Sequence, residues 1–320
     1  MKKYFPFLRG KLNELMALRY LADAIAESNQ LIPIIEPVRN NASTRISLDQ
    51  FTEAAMPFLF ICNPRHGDFK KPDSHQSLYN DLINPQLSEY DNWIPAYQLF
   101  SGTTGAEVRQ FAAQYDKQEI AIVYQGFPTR QATLEALRNE QISNRIAHHV
   151  FVGNGTPADH IESINEQQRV MVSDRFNSQE RNADYPPREF FTDMNTRAGN
   201  RLGLDFGDFS IVGDQYSEGG GAAMAVCVHH IHYHKGDSGP LDVSHFISDR
   251  TETTADPAGK TIEAVKHLVE ALDELLPNDT DACDEYREMA RSGDWRGLGF
   301  LKRLAIQHHL ELMLDSGIQL

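Results

Sequence analysis

This chain is poor in cysteine and in positive charge, and each shortage rules something out. The three cysteines in 320 residues, Cys62, Cys227 and Cys283, stand far apart, are odd in number and form no CxxC pair. That excludes a zinc ribbon or a disulfide framework and fits a reducing cytoplasm. Lysine and arginine total 30 against 45 aspartates and glutamates, a net charge of -15, which excludes broad binding to nucleic acid or to an anionic membrane surface. No apolar run approaches the ~18 residues of a membrane span. The opening Met1-Lys-Lys-Tyr-Phe-Pro lacks the apolar stretch of a signal peptide. The expectation is a cytoplasmic protein with no membrane partner. Internal repeats and low-complexity tracts are also lacking.

What is present is an alternation of short apolar runs with helical stripes. Strands are expected at Tyr4–Leu8, Leu31–Val38, Phe58–Cys62, Trp93–Leu99, Glu119–Tyr124, Ala147–Val152, Arg169–Ser173 and Leu204–Val212. Helices are expected between them, at Gly10–Ser28, Ser47–Met56 (capped by Ser47), Ser74–Ile83, Thr103–Tyr115 (capped by Thr103 or Thr104), Thr129–Asn139, Pro157–Asn165 and Pro187–Thr196. Alternation of this kind implies right-handed βαβ units and a parallel sheet. Eight strands suit an α/β (β/α)8-barrel-like core, since such barrels run to ~250 residues. An open doubly wound sheet is the competing architecture, but its Gly-rich first turn is missing. After Val212 the pattern changes. Ala222–His234 and Leu241–Ser248 read as an appended antiparallel β-hairpin, followed by C-terminal helices at Thr261–Leu276, Asp281–Arg291 and Gly299–Leu314. The expected division is a barrel core over 1–215 and an extension over 216–320 packed on it as one compact domain.

Three motifs in series, Tyr4-x-Pro6-x-Leu8-Arg9-x-Lys11-x-x-Glu14, Ile32-Pro-Ile-Ile-Glu36-Pro37 and Phe206-Gly-Asp208-Phe-Ser-Ile211, resemble the phage beta-protein family and its uncharacterised bacterial relatives. The similarity covers roughly the first 250 residues. Val228-His-His-Ile-His-Tyr233 and Ser244-His-Phe-Ile-Ser-Asp249 resemble one bacterial branch of that family. The resemblance implies a protein connected with phage–host conflict, such as an anti-phage defence system. It implies no catalytic residues.

In a barrel the C-terminal strand ends face the site. Gathered there are the carboxylates Glu36, Asp174 and Asp208, the candidate catalytic groups. With them stand Arg9, Lys11, Arg39, Asn63, Arg65, Tyr97, Gln98, Tyr124, Gln125 and Arg175 as candidate ligand-binding groups. Cations from separate strands can clamp a phosphate or carboxylate. The competing reading is that they pair with Glu36, Asp174 and Asp208, because buried charges must be paired. The same carboxylates with Asn63 could hold Mg²⁺, though no spacing motif supports it. Gly153-Asn-Gly-Thr-Pro157 could cradle an anion at a helix start or be a capped turn, and Arg65-His66-Gly-Asp68 lies in a long polar loop of the sort that often carries function. On a strand, His230, His232 and His234 share one face and His245 could join them around zinc, while Cys227 and His229 share the other face. A solvated edge strand is the preferred reading, so no metal ligand is assigned. The function expected is binding of an anionic ligand at the barrel mouth. The alternatives are a non-catalytic scaffold for a co-encoded protein and a metal-dependent phosphoesterase or nuclease.

Overall fold

The computed structural model describes residues 2–197, 204–219, 223–274 and 278–315. Among them the strands are β1 (Phe7–Leu8), β2 (Ile34–Ile35), β3 (Phe58–Ile61), β4 (Trp93–Leu99), β5 (Ile120–Tyr124), β6 (Ile146–Val152), β7 (Arg169–Ser173), β8 (Arg188–Thr192), β9 (Asp205–Asp208), β10 (Cys227–Lys235) and β11 (Ser238–Ile247). No helix in the described residues is long and apolar enough to cross a membrane. The chain forms two compact units.

The first unit comprises Met1–Leu12, Ala22–Asp174 and Ala198–Phe209. Its strands pair in parallel in the order β1-β2-β3-β4-β5-β6-β7-β9. The sheet curls into a nearly closed barrel because Tyr4 bridges Leu31 on one side and Phe206 on the other. The Phe5 N–H donates to the Phe206 carbonyl at 2.8 Å. A Cβ on Gly207 would lie 1.9 Å from the Phe5 carbonyl oxygen, so only glycine lets the last strand come this close to the first. Side chains two apart point inward. Phe5, Phe7, Ile32, Ile34, Leu59, Ile61, Ala121, Val123, Val170 and Val172 fill the interior. The intervening Ile35, Phe58, Phe60, Ile122 and Phe151 are buried too, as expected of parallel strands covered on both faces.

The expected (β/α)8-like fold is therefore present, with local corrections. The first helix breaks at Leu21 into Leu12–Tyr20 and Ala22–Ser28, where the Leu21 amide is shared between the carbonyls of Ala17 and Leu18. The next helix runs Ala42–Glu53 and is capped by Asn41, whose Oδ1 accepts the Thr44 N–H. Ser47 lies inside that helix and returns its hydroxyl to the Ser43 carbonyl. Thr104, not Thr103, makes the cap and capping box of Gly105–Gln114.

The second unit comprises Asn13–Leu21, Arg175–Arg197 and Ser210–Leu320. The helix expected at Pro187–Thr196 is instead mostly strand β8, whose Glu-Phe-Phe-Thr run favours an extended chain. It completes a three-stranded antiparallel sheet in the order β10-β11-β8 with the expected hairpin. Helices Pro257–Glu274, Asp281–Ser292 and Leu298–Asp315 follow. Val228, Val265, Leu268, Tyr286 and Leu304 form part of this unit's core.

Candidate functional site

At the C-terminal ends of the barrel strands the inward rows change from apolar to polar. Two-residue steps from Phe7, Ile34, Ile61, Ala96, Val123 and Val172 reach Arg9, Glu36, Asn63, Gln98, Gln125 and Asp174. Glu36 is at the centre. Its side chain is fully buried, and Arg9 Nη1 lies 2.5 Å from Oε2. The other oxygen, Oε1, accepts the Arg65 N–H at 2.8 Å and meets His66 Nδ1 at 3.0 Å. The Gln98 amide reaches the same atom at 3.4 Å. Burial by itself would push the Glu36 carboxyl up. The His66 hydrogen bond, the Arg9 charge and the Arg65 amide outweigh it and hold the group down at about 2. Glu36 is thus ionised across the physiological range and can only accept, so His66 Nδ1 carries the proton in this pair. In a neutral His66 ring the basic lone pair is then on Nε2.

The surroundings position this cluster. Asn63 locks the ends of β3 and β4 together, donating to the Gln98 carbonyl at 2.9 Å and accepting the Gln98 N–H at 2.7 Å. Arg9 lies 5.1 Å from the Phe7 ring centroid and 5.3 Å from that of Phe209, so its guanidinium is braced between aromatic faces. Gly67, at φ +60°, lets the loop carrying His66 lie against Val38, where a Cβ would sit 2.0 Å from the Val38 carbonyl oxygen. The Asp68 N–H donates to that same carbonyl at 3.0 Å.

Several residues expected at the mouth are elsewhere. Tyr97, Tyr124 and Asp208 fall in the opposite phase of their strands. Tyr97 lines a cavity of about 380 Å³ outside the barrel with Cys62, His75, Glu107 and Tyr115. The Tyr124 hydroxyl lies between His149 Nδ1 at 3.0 Å and His160 Nε2 at 3.1 Å. Buried Asp208 accepts a hydrogen bond from the Tyr4 hydroxyl at 2.7 Å. Arg39 pairs with Asp68 at 3.1 Å on the exposed loop. Lys11 and Gln125 are half-buried, while Asp174 and Arg175 are exposed beyond β7. Arg65 is exposed, stacks its guanidinium 4.4 Å from the Phe100 centroid, and makes no ion pair among the described residues. The carboxylates considered for Mg²⁺ are not gathered at one point. Glu36 is engaged by Arg9, His66 and Arg65, and Asp208 faces Tyr4.

Compared with family models, curated proteins and solved structures, the chain matches none. The functional reading therefore rests on the chemistry of the sites themselves.

The histidine-rich hairpin differs from its expected form. His230 and His232 are buried, so this part of the β10 face is not solvated, while His234 on the same face is exposed and its Nδ1 lies 2.9 Å from Asp242 Oδ2. His245 lies opposite His229, not beside His230. Among the described residues, two groups of side chains could offer metal-ligating atoms within 4.8 Å of one another, Cys227–His229–His245 and His230–Cys283–His308. The first was legible only as two residues on one strand face, and its third member depended on the cross-strand register. His66 was visible as part of a long polar loop but not as the partner of Glu36.

Proposed function

We propose that the barrel mouth binds a small anionic ligand, with Glu36 and His66 as an acid–base pair beneath it. The observation that carries this reading is the concentration of partners on one buried carboxylate. Arg9, the Arg65 amide with its neighbour His66, and Gln98 converge on Glu36 from three separate segments. A buried ion pair is weak evidence for stability, because apolar residues of similar volume often serve as well. Its position at the strand ends, where barrels place their chemistry, favours a site. Arg9 neutralises Glu36, which leaves exposed Arg65 as the rim cation for an incoming phosphate or carboxylate. Partly exposed His66 is held against Glu36 through its Nδ1–H, which places the imidazole at the rim of the mouth.

The scaffold alternative loses the docking surface it would need most. Leu301, Leu304, Ile306, Leu310 and Met313 of the last helix are all buried. A connection with phage–host conflict is compatible with a ligand-binding barrel, and the motif resemblance is what supports it.

The test is thermal unfolding in the presence of inorganic phosphate, sugar phosphates and nucleoside phosphates. A ligand specific for the native state raises its apparent stability by mass action. At least one class is expected to stabilise the native chain, with the shift abolished in Arg65→Ala and reduced in His66→Ala. No stabilisation by any of them, or shifts unchanged in both variants, would overturn the reading.

A further inference from the structure

We propose that Cys227, His229 and His245 form a binding site for a zinc-class metal ion, with a fourth coordination position open to the adjoining cavity. Cys227 Sγ lies 3.6 Å from His229 Nδ1, and His229 Nδ1 lies 2.8 Å from His245 Nδ1. An ideal tetrahedral zinc ion, with Zn–S of about 2.3 Å and Zn–N of about 2.0–2.1 Å, separates sulfur from nitrogen by about 3.6 Å and nitrogen from nitrogen by about 3.3 Å. The thiol and the first imidazole already have that spacing, and the two imidazoles need to part by about half an ångström. Their rings cross at 81°, so both ring planes can contain one common point, as ligation through in-plane lone pairs requires.

The outer partners suit the same assignment. His245 Nε2 lies 3.1 Å from Glu189 Oε1. A proton on that nitrogen turns the lone pair of Nδ1 toward the cluster, the arrangement by which carboxylates orient metal-ligating histidines. Without an ion, His229 Nδ1–H donates to His245 Nδ1. An ion would replace that shared proton, with His229 carrying its own on Nε2. Tyr185 packs against both rings, with centroids 4.7 Å from His229 and 4.6 Å from His245. Phe176 packs edge-on against His229 at 4.9 Å. The ligands are therefore held in place by aromatic walls. Cys227 and His229 also line a cavity of about 350 Å³ with Phe176, Tyr185, Leu301 and Lys302. Three protein ligands beside a cavity are the pattern of a site that keeps a position for water or substrate, and Lys302 gives that cavity a cation.

The neighbouring His230–Cys283–His308 group fails the same geometric test. His230 and His308 are stacked with centroids 3.9 Å apart and planes 17° from parallel, so their in-plane lone pairs run side by side and do not converge. His308 is also engaged at both nitrogens, with the Ile231 carbonyl at 2.6 Å and the Thr280 hydroxyl at 2.8 Å.

The experiment is metal binding by the full chain under reducing conditions. Zn²⁺ affinity is read by competition with a chromophoric chelator, and Co²⁺ serves as the spectroscopic probe. The native chain is expected to bind one Zn²⁺, and its Co²⁺ form to show thiolate-to-cobalt charge transfer with intense visible bands of low coordination number. Both signals should be lost in Cys227→Ser and kept in Cys283→Ser. Glu189→Gln, which disturbs a positioning residue only, should weaken Zn²⁺ binding about 10–100-fold while preserving the charge-transfer band. Thiocyanate should alter the visible bands by occupying the open position. Absence of stoichiometric binding, or native-like binding by Cys227→Ser, would overturn the site, and bands indifferent to thiocyanate would overturn its open position.

Discussion

Removing the charge of Glu36 tests both the energetics of the barrel mouth and its ionisation state. The carboxyl is held down from its ordinary 4.5 to about 2, which corresponds to stabilisation of about 3 kcal/mol when ionised. Because the folded-state pKa is the lower one, this stability is present above about pH 4.5 and is lost as pH falls through about 2. In Glu36→Gln the buried Arg9 guanidinium loses its counter-charge, which costs about 3–5 kcal/mol. Arg9→Met leaves Glu36 buried without that cation and should cost a similar amount, whereas Arg9→Met with Glu36→Leu should recover most of the loss. The assay is urea unfolding followed by tryptophan fluorescence. The chain has two tryptophans: Trp93 is buried in the barrel unit and Trp295 belongs to the other. A Trp295→Phe background makes the signal report on the barrel. Single variants each costing less than about 1 kcal/mol, or no coupling in the double variant, would refute the buried ion pair as the organising feature.

Histidines impose a second pH dependence with the same sign but a higher window. Burial pushes His149, His229 and His309 down to about 3, and His148 and His308 to about 4. They fold neutral and bind protons when unfolded, so stability should fall as pH drops below about 6.5, before Glu36 contributes; a flat urea midpoint between pH 7 and 5 would contradict this. Tyr124→Phe strips the hydroxyl between His149 and His160 and should cost about 1–3 kcal/mol by the same unfolding assay. Asn41→Ala, which removes the cap of Ala42–Glu53, should cost about 1 kcal/mol. Gly207→Ala should disrupt barrel closure far more severely, read as loss of the cooperative Trp93 transition.

The alternation of apolar runs was legible because each barrel strand must bury both faces, and that same property hid the phase. With apolar side chains on both sides of β4 and β5, hydrophobicity does not distinguish the row containing Gln98 from the row containing Tyr97, or Gln125 from Tyr124. Asp208 was misplaced for this reason too: its neighbour Phe209, not Asp208, belongs to the inward row. Strand β8 was hidden because it has no partner nearby in sequence; it pairs with residues about 50 positions later, from Leu241↔Thr192 onward. The charge-bearing strand ends were readable, but Glu36–His66 required knowing how the loop after β3 folds back over Val38. His229 and His245 required a register that shifts near the turn, between Tyr233 and Lys235.

The seam between β9 and the first strand also governs how the barrel can be assembled. Tyr4 and Asp208, joined across it, are 204 residues apart in the chain. Contacts of such long range bring their reward only after the intervening loop entropy has been met, which slows folding. On the ribosome, the inner strands can pair in order as they emerge, while the edge formed by Tyr4 and Phe5 waits for Phe206 and Asp208. Until then the growing sheet has two open edges capable of pairing with another chain. The narrow fit at Gly207 would therefore act late, as the step that withdraws both edges at once from association.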